Sequence, residues 1–435
     1  MPQEHINLGT PPSGVDGDTD RQAWVKAEDN FNELYGILGT GDGSIVAQVG
    51  ENTADIAALE PAVAQNTSDL ATYKPLVDAN TAGVAANTAD LAAYKPKVDA
   101  NTAALANVNF MGGFKNRLIN GTFDWWQRGA SLAAYQQASK FLADRWFTTA
   151  GFATIDVSRQ TFALGTQNVP DGPYYWHRCN VVTAGNAGEY ALMGQRIENL
   201  SMYSSKQMTI SFWAKADANK KMGFELQHSY GSGGSATNDG AVTASFNLTA
   251  AWQKFTLTFN TIDMGGKVIG PGAALIINFW FTSGTTYASR ASVPMQSGTF
   301  DIAQVQLEFG ANATPFENRP YGVELAMCQR YCQRMSAGGA YSTFGTGIYG
   351  SATAANIPTP TPTSLRTNPT VTKFGNFAVL TNSGATNVVT SVVSGGFYNN
   401  LILLQATTAG VVSGQPAQLY SNNDATAYLL FESEL

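Results

Sequence analysis

Charge is scarce in this chain. Asp, Glu, Lys and Arg together make up 13% of its 435 residues, about half the usual share. The charge that is present sums to −7. Nucleic-acid binding needs a basic footprint that displaces counterions, and no such footprint exists here. No run of eighteen apolar residues occurs, so no membrane-inserted helix is expected. The opening MPQEHINLGTPPSGVDGDTD lacks a basic n-region and an apolar h-region. The expectation is a soluble protein made in a cytoplasm without a signal peptide.

Cysteine and histidine are scarce as well, with three of each. An odd count, Cys179, Cys328 and Cys332, does not make a disulfide framework. Cys328 and Cys332, in CQRYC, lack a second CxxC or a nearby histidine, so reduced, packed thiols are expected. His5, His177 and His228 show no metal-ligand spacing. GxSxG, HExxH and P-loop signatures are all missing, which removes those hydrolase and nucleotide-binding classes.

What the chain does contain is a strict seven-residue period. Val49, Ile56, Val63, Leu70, Val77, Val84, Leu91, Val98 and Leu105 form one row. Three residues after each lies a second row: Asn52, Leu59, Asn66, Tyr73, Asn80, Asn87, Tyr94, Asn101 and Val108. These are the a and d positions of a heptad, and a solitary helix would drift off that period. A multichain supercoil over residues 45–110 is therefore expected, roughly 90 Å long at about 1.5 Å per residue. Asn52, Asn66, Asn80, Asn87 and Asn101 fall at d, each in the pattern Val-x-x-Asn-Thr. Polar core layers lower stability but fix register and oligomer state. Pro61, Pro75 and Pro96 fall at f, the outermost position. Each removes a helical hydrogen bond, so kinks or breaks are expected there.

Ahead of this stalk, Thr19 and Gln22 have capping-box spacing. Trp24, Ala27, Phe31, Leu34 and Leu38 then make one apolar stripe, which predicts a short helix within an attachment module at 1–44. After Phe110 the pattern changes to alternating apolar and polar residues separated by Gly, Asn and Ser turns. That predicts a β-sandwich of jelly-roll type over 111–318. A connecting helix is expected at 319–335 and a smaller β-sandwich tip at 336–435. Within the tip PTPTPTS (Pro358–Ser364) reads as an extended connector. The fold class is mostly β with an α-helical coiled-coil stalk, two jelly-roll-like β-sandwiches per chain, in a homotrimer.

Several segments resemble those of phage tail fibres and receptor-binding proteins. INLGTPPSGVDGDTDRQAWVKAEDNFNELY is similar to their virion-attachment segment. NRLINGTFDWWQRG and FDIAQVQLEFGANATPFENRPYGVELAMCQRY resemble the frame of their carbohydrate-binding-like jelly rolls, and SLRTNPTVT the opening of their tip domain. The Val-x-x-Asn-Thr layers resemble those of trimeric phage and bacterial adhesins. There asparagines face the axis, sometimes around an anion, and the following Thr supports them. The resemblance implies a non-enzymatic virion protein, joined to tail or baseplate proteins by its N-terminus and binding a host-surface glycan such as lipopolysaccharide or capsule. It also implies a structural calcium between first and last strands, for which Asp124 and Asp301 are the matching acids.

A glycan site needs aromatic faces beside amides and hydroxyls. In the tip Tyr341, Tyr349, Tyr398 with Asn399, and Tyr420 with Asn422 and Asp424 lie in turn-rich stretches. The tip is the preferred location, being furthest from the attachment end. Trp176 in PYYWHR and Tyr230 in HSYGSGGS are the candidates in the larger sandwich, whereas Trp213 and Trp280 read as core. Two other functions compete. A polysaccharide depolymerase needs two carboxylates roughly 5 to 10 Å apart, and a cell-anchored trimeric adhesin needs a signal and an anchor.

Overall fold

The computed structural model describes residues 22–30, 45–108, 113–163, 165, 169–381 and 384–435. It divides into two units, Met1–Thr102 and Ala103–Leu435. In the first, residues 22–30 are helical (α1), with Trp24 exposed. Ala27 of the expected stripe is half-buried, and Phe31, Leu34 and Leu38 lie outside the described residues.

Helix α2 runs from Ile45 to Val108, and its helical backbone continues through Pro61, Pro75 and Pro96. The expected breaks do not occur. A proline removes one helical hydrogen bond and crowds the carbonyl four residues back, yet the helical backbone runs on past each of the three. Ion pairs Lys74–Asp78 and Lys95–Asp99, each 3.1 Å, also span Pro75 and Pro96. Val63, Leu70, Val77, Val84, Leu91 and Val98 are all exposed, as are Tyr73 and Tyr94. Asn66, Asn80, Asn87 and Asn101 lie exposed on the same helix, whereas the Asn52 side chain is outside the described residues. Thr67, Thr81 and Thr88 donate their hydroxyls back to the carbonyls of Val63, Val77 and Val84, at 2.7, 2.8 and 2.8 Å.

The second unit holds two sandwiches. The larger is formed by two six-stranded antiparallel sheets. One orders β1 (Ser131–Tyr135), β4 (Thr154–Thr161), β5 (Tyr175–Thr183), β12 (Gly298–Phe309), β7 (Gln207–Ala216) and β10 (Gln253–Asn260). The other orders β2 (Ala138–Phe141), β3 (Trp146–Gly151), β6 (Tyr190–Ile197), β11 (Ala274–Ser283), β8 (Lys220–Ser229) and β9 (Asn238–Leu248). Alternation places Met208, Ile210, Phe212 and Ala214 of β7 inward. Phe212 and Phe224 meet Phe279 of β11 edge-on at 5.0 and 5.8 Å. Every residue of β11 is buried, because a second apolar cluster covers its outer face.

Helix α4 spans Tyr321–Gln329, shorter than the expected 319–335. The residues after it enter β13 (Cys332–Ser336), which pairs with β22 (Tyr428–Glu432). With β16 (Thr370–Phe374) these make a three-stranded sheet. A seven-stranded sheet orders β18 (Thr386–Val388), β17 (Phe377–Thr381), β21 (Pro416–Ser421), β14 (Thr343–Ser351), β15 (Ala354–Pro360), β20 (Leu401–Thr407) and β19 (Ser391–Tyr398). No strand of that sheet carries a charged residue. The connector expected at Pro358–Ser364 begins instead inside β15. Pro358 and Pro360 pair with Leu403 and Leu401 of β20, while pairing to β14 ends at Asn356. Their missing N–H groups therefore interrupt no ladder on that side.

The chain's last residues return to the larger sandwich. Arg128 holds Glu432 at 2.6 Å and Glu434 at 3.0 Å, and Arg145 also pairs with Glu434. Arg366 donates to the carbonyls of Ser433 (3.0 Å) and Glu434 (2.6 Å). Cys179, Cys328 and Cys332 are free and buried.

Candidate functional site

The outer face of the sheet containing β11 forms a groove. Register places Thr149, Leu192, Trp280 and Gly223 in one row across β3, β6, β11 and β8. Phe147, Gly194, Asn278 and Glu225 form the next, and Arg196, Ile276 and Gln227 the one after. A 3-10 turn (Thr285–Tyr287) and helix α3 (Ala288–Ala291) fold over one end. Gly223 permits this approach, since a Cβ there would collide with the Ala291 carbonyl. Tyr287 stands edge-on to Tyr190 at 4.8 Å and lies 6.1 Å from Trp280. A cavity of about 170 Å³ opens between these walls, with Ser139, Thr149 and Gln227 also on its rim.

One buried carboxylate organises the floor. Glu225 accepts hydrogen bonds from Trp280 Nε1 and Asn278 Nδ2, both at 3.0 Å, and from Arg290 Nε at 2.7 Å. Arg290 also pairs with Asp239 at 3.1 Å. These bonds fix the Trp280 ring, which is itself 1% exposed. Tyr190 and Tyr287 remain half-buried and offer the accessible aromatic surface. Asn278 donates its second amide hydrogen to Gln227 Oε1 at 2.8 Å. Its Oδ1 is buried and has no hydrogen-bond partner. Burial of an unsatisfied acceptor is costly, roughly 1–3 kcal/mol, and a ligand hydroxyl would satisfy it. Aromatic walls, an amide floor and two guanidinium groups suit a polar ring compound with apolar C–H faces.

The residues singled out from sequence lie elsewhere. Tyr230 and Tyr349 are fully buried members of the two cores and do not meet solvent. Gly270 N donates to Tyr230 O at 2.7 Å, so the expected flexible loop is a tight turn with its tyrosine turned inward. Trp176 packs with Phe162 at 4.5 Å and Trp252 at 5.8 Å on the opposite sheet. Tyr341 and Tyr420 do come together, with ring centroids 6.5 Å apart, and Tyr420 donates to Thr386 at 3.0 Å. Tyr398 and Asn399 sit at the β19–β20 turn, four strands from Tyr420, or about 19 Å at the usual strand spacing. They form no common site with it. Asn422 uses its backbone N–H to bond Asn376 O at 2.9 Å. Asp424 braces the same turn by accepting from Thr426 Oγ1 (2.7 Å) and from the backbone of Thr426 and Asn376. The Thr426 hydroxyl and these amides hold its pKa below the usual carboxylate value.

The two acids matched to calcium are not brought into a cage. Asp301 takes a bidentate grip from Arg178, at 2.7 and 2.8 Å. That guanidinium occupies the oxygens a cation would need. Asp124 accepts from Thr122 at 2.7 Å, and burial raises its pKa. Among the described residues no group of three or more His, Cys, Asp or Glu could hold a metal ion. Trp280 was legible as core, but Tyr190, Tyr287, Asn278 and Arg196 carried no signal, because the groove joins strands far apart in sequence.

No protein-family model matches the chain, and no curated protein does. Among solved structures, it is similar to the enzymatically active domain of tailspike protein 4 of bacteriophage CBA120. That match has 15% identity and a TM-score of 0.27, and covers 45% of this chain but 21% of the tailspike chain. A family 11 carbohydrate-binding module from Clostridium thermocellum, in complex with a mixed-linked tetrasaccharide, matches with 14% identity and a TM-score of 0.26. It covers 42% of this chain and 97% of that one. The CBM22-1 xylan-binding domain from Paenibacillus barcinonensis matches with 13% identity and a TM-score of 0.25, covering 42% and 94%. The sandwich is established by its own strand pairing.

Proposed function

We propose that this chain is the subunit of a trimeric phage tail-fibre adhesin that binds a host-surface glycan in the groove on the larger sandwich. The observation that carries the reading is the unsatisfied Asn278 Oδ1 on the floor of a cavity that Tyr190 and Tyr287 also line. Aromatic edges take sugar C–H faces, and a fixed amide takes hydroxyls. In this reading α2 is the stalk. Its exposed valines, leucines and tyrosines recur at heptad spacing, which favours burial against further copies of the same helix. Three copies would present the groove three times and raise avidity without new contacts. Residues 1–44 would join the tail or baseplate, placing the protein in the virion.

The test is binding of the full-length chain to host lipopolysaccharide and capsule, with Tyr287→Ala as the comparison. Losing one aromatic wall should weaken binding at least tenfold, or about 1.4 kcal/mol, while the melting temperature stays near that of the parent. Undiminished binding would move the site to the tip, where Tyr341 and Tyr420 meet. Shortened glycan chains after incubation would instead establish the depolymerase reading. Glu225, the carboxylate nearest the floor, is fully buried and committed to Trp280, Asn278 and Arg290, so unshortened chains are expected.

A further inference from the structure

Strands β4 and β5 carry their inward phase past the core to one end of the larger sandwich. Val157 of β4 and His177 of β5 are buried, and the next positions in phase are Arg159 and Tyr175. The Arg159 guanidinium lies 4.3 Å over the Tyr175 ring and makes no ion pair or hydrogen bond among the described residues. Tyr174, 64% exposed, stands 6.5 Å from Tyr175. Tyr321, the first residue of α4, packs on Trp125 with ring centroids 4.2 Å apart, yet is 62% exposed. Burial, the Asp124 carboxylate and Tyr175 all raise the Tyr321 pKa, and Arg159 lowers it, so these groups share one neighbourhood. A small cavity of about 50 Å³ opens beside Tyr321, with Asp124 on its wall. The other carboxylates there, Glu317 and Glu324, are both held by Arg319, at 3.3 and 3.0 Å. Asp124 has no such partner. Thr122 occupies its Oδ2 at 2.7 Å, while Oδ1 is buried with no hydrogen-bond partner. Trp125 Nε1 is likewise buried and unpartnered.

We propose that this end of the sandwich is a second sugar-binding site, where a neutral hydroxylated ring stacks on Tyr321 and one of its hydroxyls donates to Asp124 Oδ1. This rests on the reading of the chain as a glycan binder, but not on the groove. A water-sized group needs roughly 10–15 Å³. The cavity therefore admits a hydroxyl or hydroxymethyl arm while the ring stays outside on the aromatic strip. A hydroxyl both donates and accepts, which suits Asp124, Trp125 Nε1 and Arg159 together. An ammonium group would satisfy Asp124 alone and be repelled by Arg159, whereas an anion would be repelled by Asp124. Tyr174 and Tyr175 extend the strip, which favours a chain of sugar units over a single one.

The experiment uses the full chain and neutral oligosaccharides released from host lipopolysaccharide, titrated by calorimetry. The parent should take up two oligosaccharides per chain. Tyr321→Ala and Tyr287→Ala should each weaken one of the two sites by about tenfold or more, and the double variant should lose both. Tyr321→Phe keeps the stacking ring and should bind as the parent does, which separates a lost contact from a lost fold. Asp124→Asn exchanges a charged acceptor for a neutral one and should weaken this site alone. Two undiminished sites in Tyr321→Ala, or a single site in the parent that Tyr287→Ala abolishes, overturns the proposal while the groove stands. A single site that only Tyr321→Ala abolishes removes the groove reading and leaves this one. Binding to no oligosaccharide overturns both.

Discussion

Two histidines are buried as neutral side chains, and this has a pH cost. Burial pushes His177 down to about 3 and His228 down to about 4, from 6.5. Neither His228 nitrogen has a hydrogen-bond partner. Between those values and 6.5 the unfolded chain binds protons that the folded chain refuses. Their stabilisation is therefore complete above pH 6.5 and declines as pH falls towards the folded-state values. Asp144 acts in the opposite sense. Burial raises it to about 6, against the pull of Arg128 and Gln127, so its contribution is present at low pH and lost as pH rises through 6. Replacing His228 with Gln removes one refused proton. The slope of unfolding free energy against pH should drop by about 1.4 kcal/mol per unit between pH 4.5 and 6. Denaturant titrations giving parallel slopes for both proteins would contradict this. Which side chains were buried was only partly legible at this scale. Tyr349 and Tyr230 border glycine-rich turns that suggest exposure, but inward phase along a strand is set by the partner sheet.

The elements were more legible than the residues. A heptad sustained over nine repeats marks one long helix whatever the prolines do, because each proline removes a single hydrogen bond from a long ladder. Alternation likewise exposed the strands, except β15, whose prolines mimic a linker. The stalk yields a prediction of its own. In a trimer Asn80 and Asn87 would stack against their copies, and changing both to Val would replace amides by apolar volume. Each burial adds about 2 kcal/mol, so the helical signal should melt at higher temperature. Sedimentation should at the same time report a mixture of oligomers where the parent shows one, because the polar layers select register. A single isolated chain before and after the change, with no gain in helix stability, would contradict the trimer.

At the scale of the whole molecule the unexpected feature is the joint between tip and larger sandwich. Nothing in a near-uncharged C-terminal segment announces that Glu432 and Glu434 will reach Arg128 and Arg145, roughly three hundred positions earlier in the chain. The tail therefore acts as a clasp, and Leu435 packs against the apolar cluster under the groove. Removing residues 336–435 to locate the binding site would consequently leave Arg145 buried without its counter-charge and alter the groove wall. A single substitution is the cleaner probe. Glu434→Ala leaves Arg145 in place but takes away its carboxylate, and breaking a buried pair from one side costs about 3–5 kcal/mol. Calorimetry of the parent unit should give one cooperative transition for sandwich and tip. In Glu434→Ala the tip should melt first, separately, and limited proteolysis should cut near residues 330–336. Coincident melting in both proteins would mean that the strand and helix contacts alone bind the two sandwiches together.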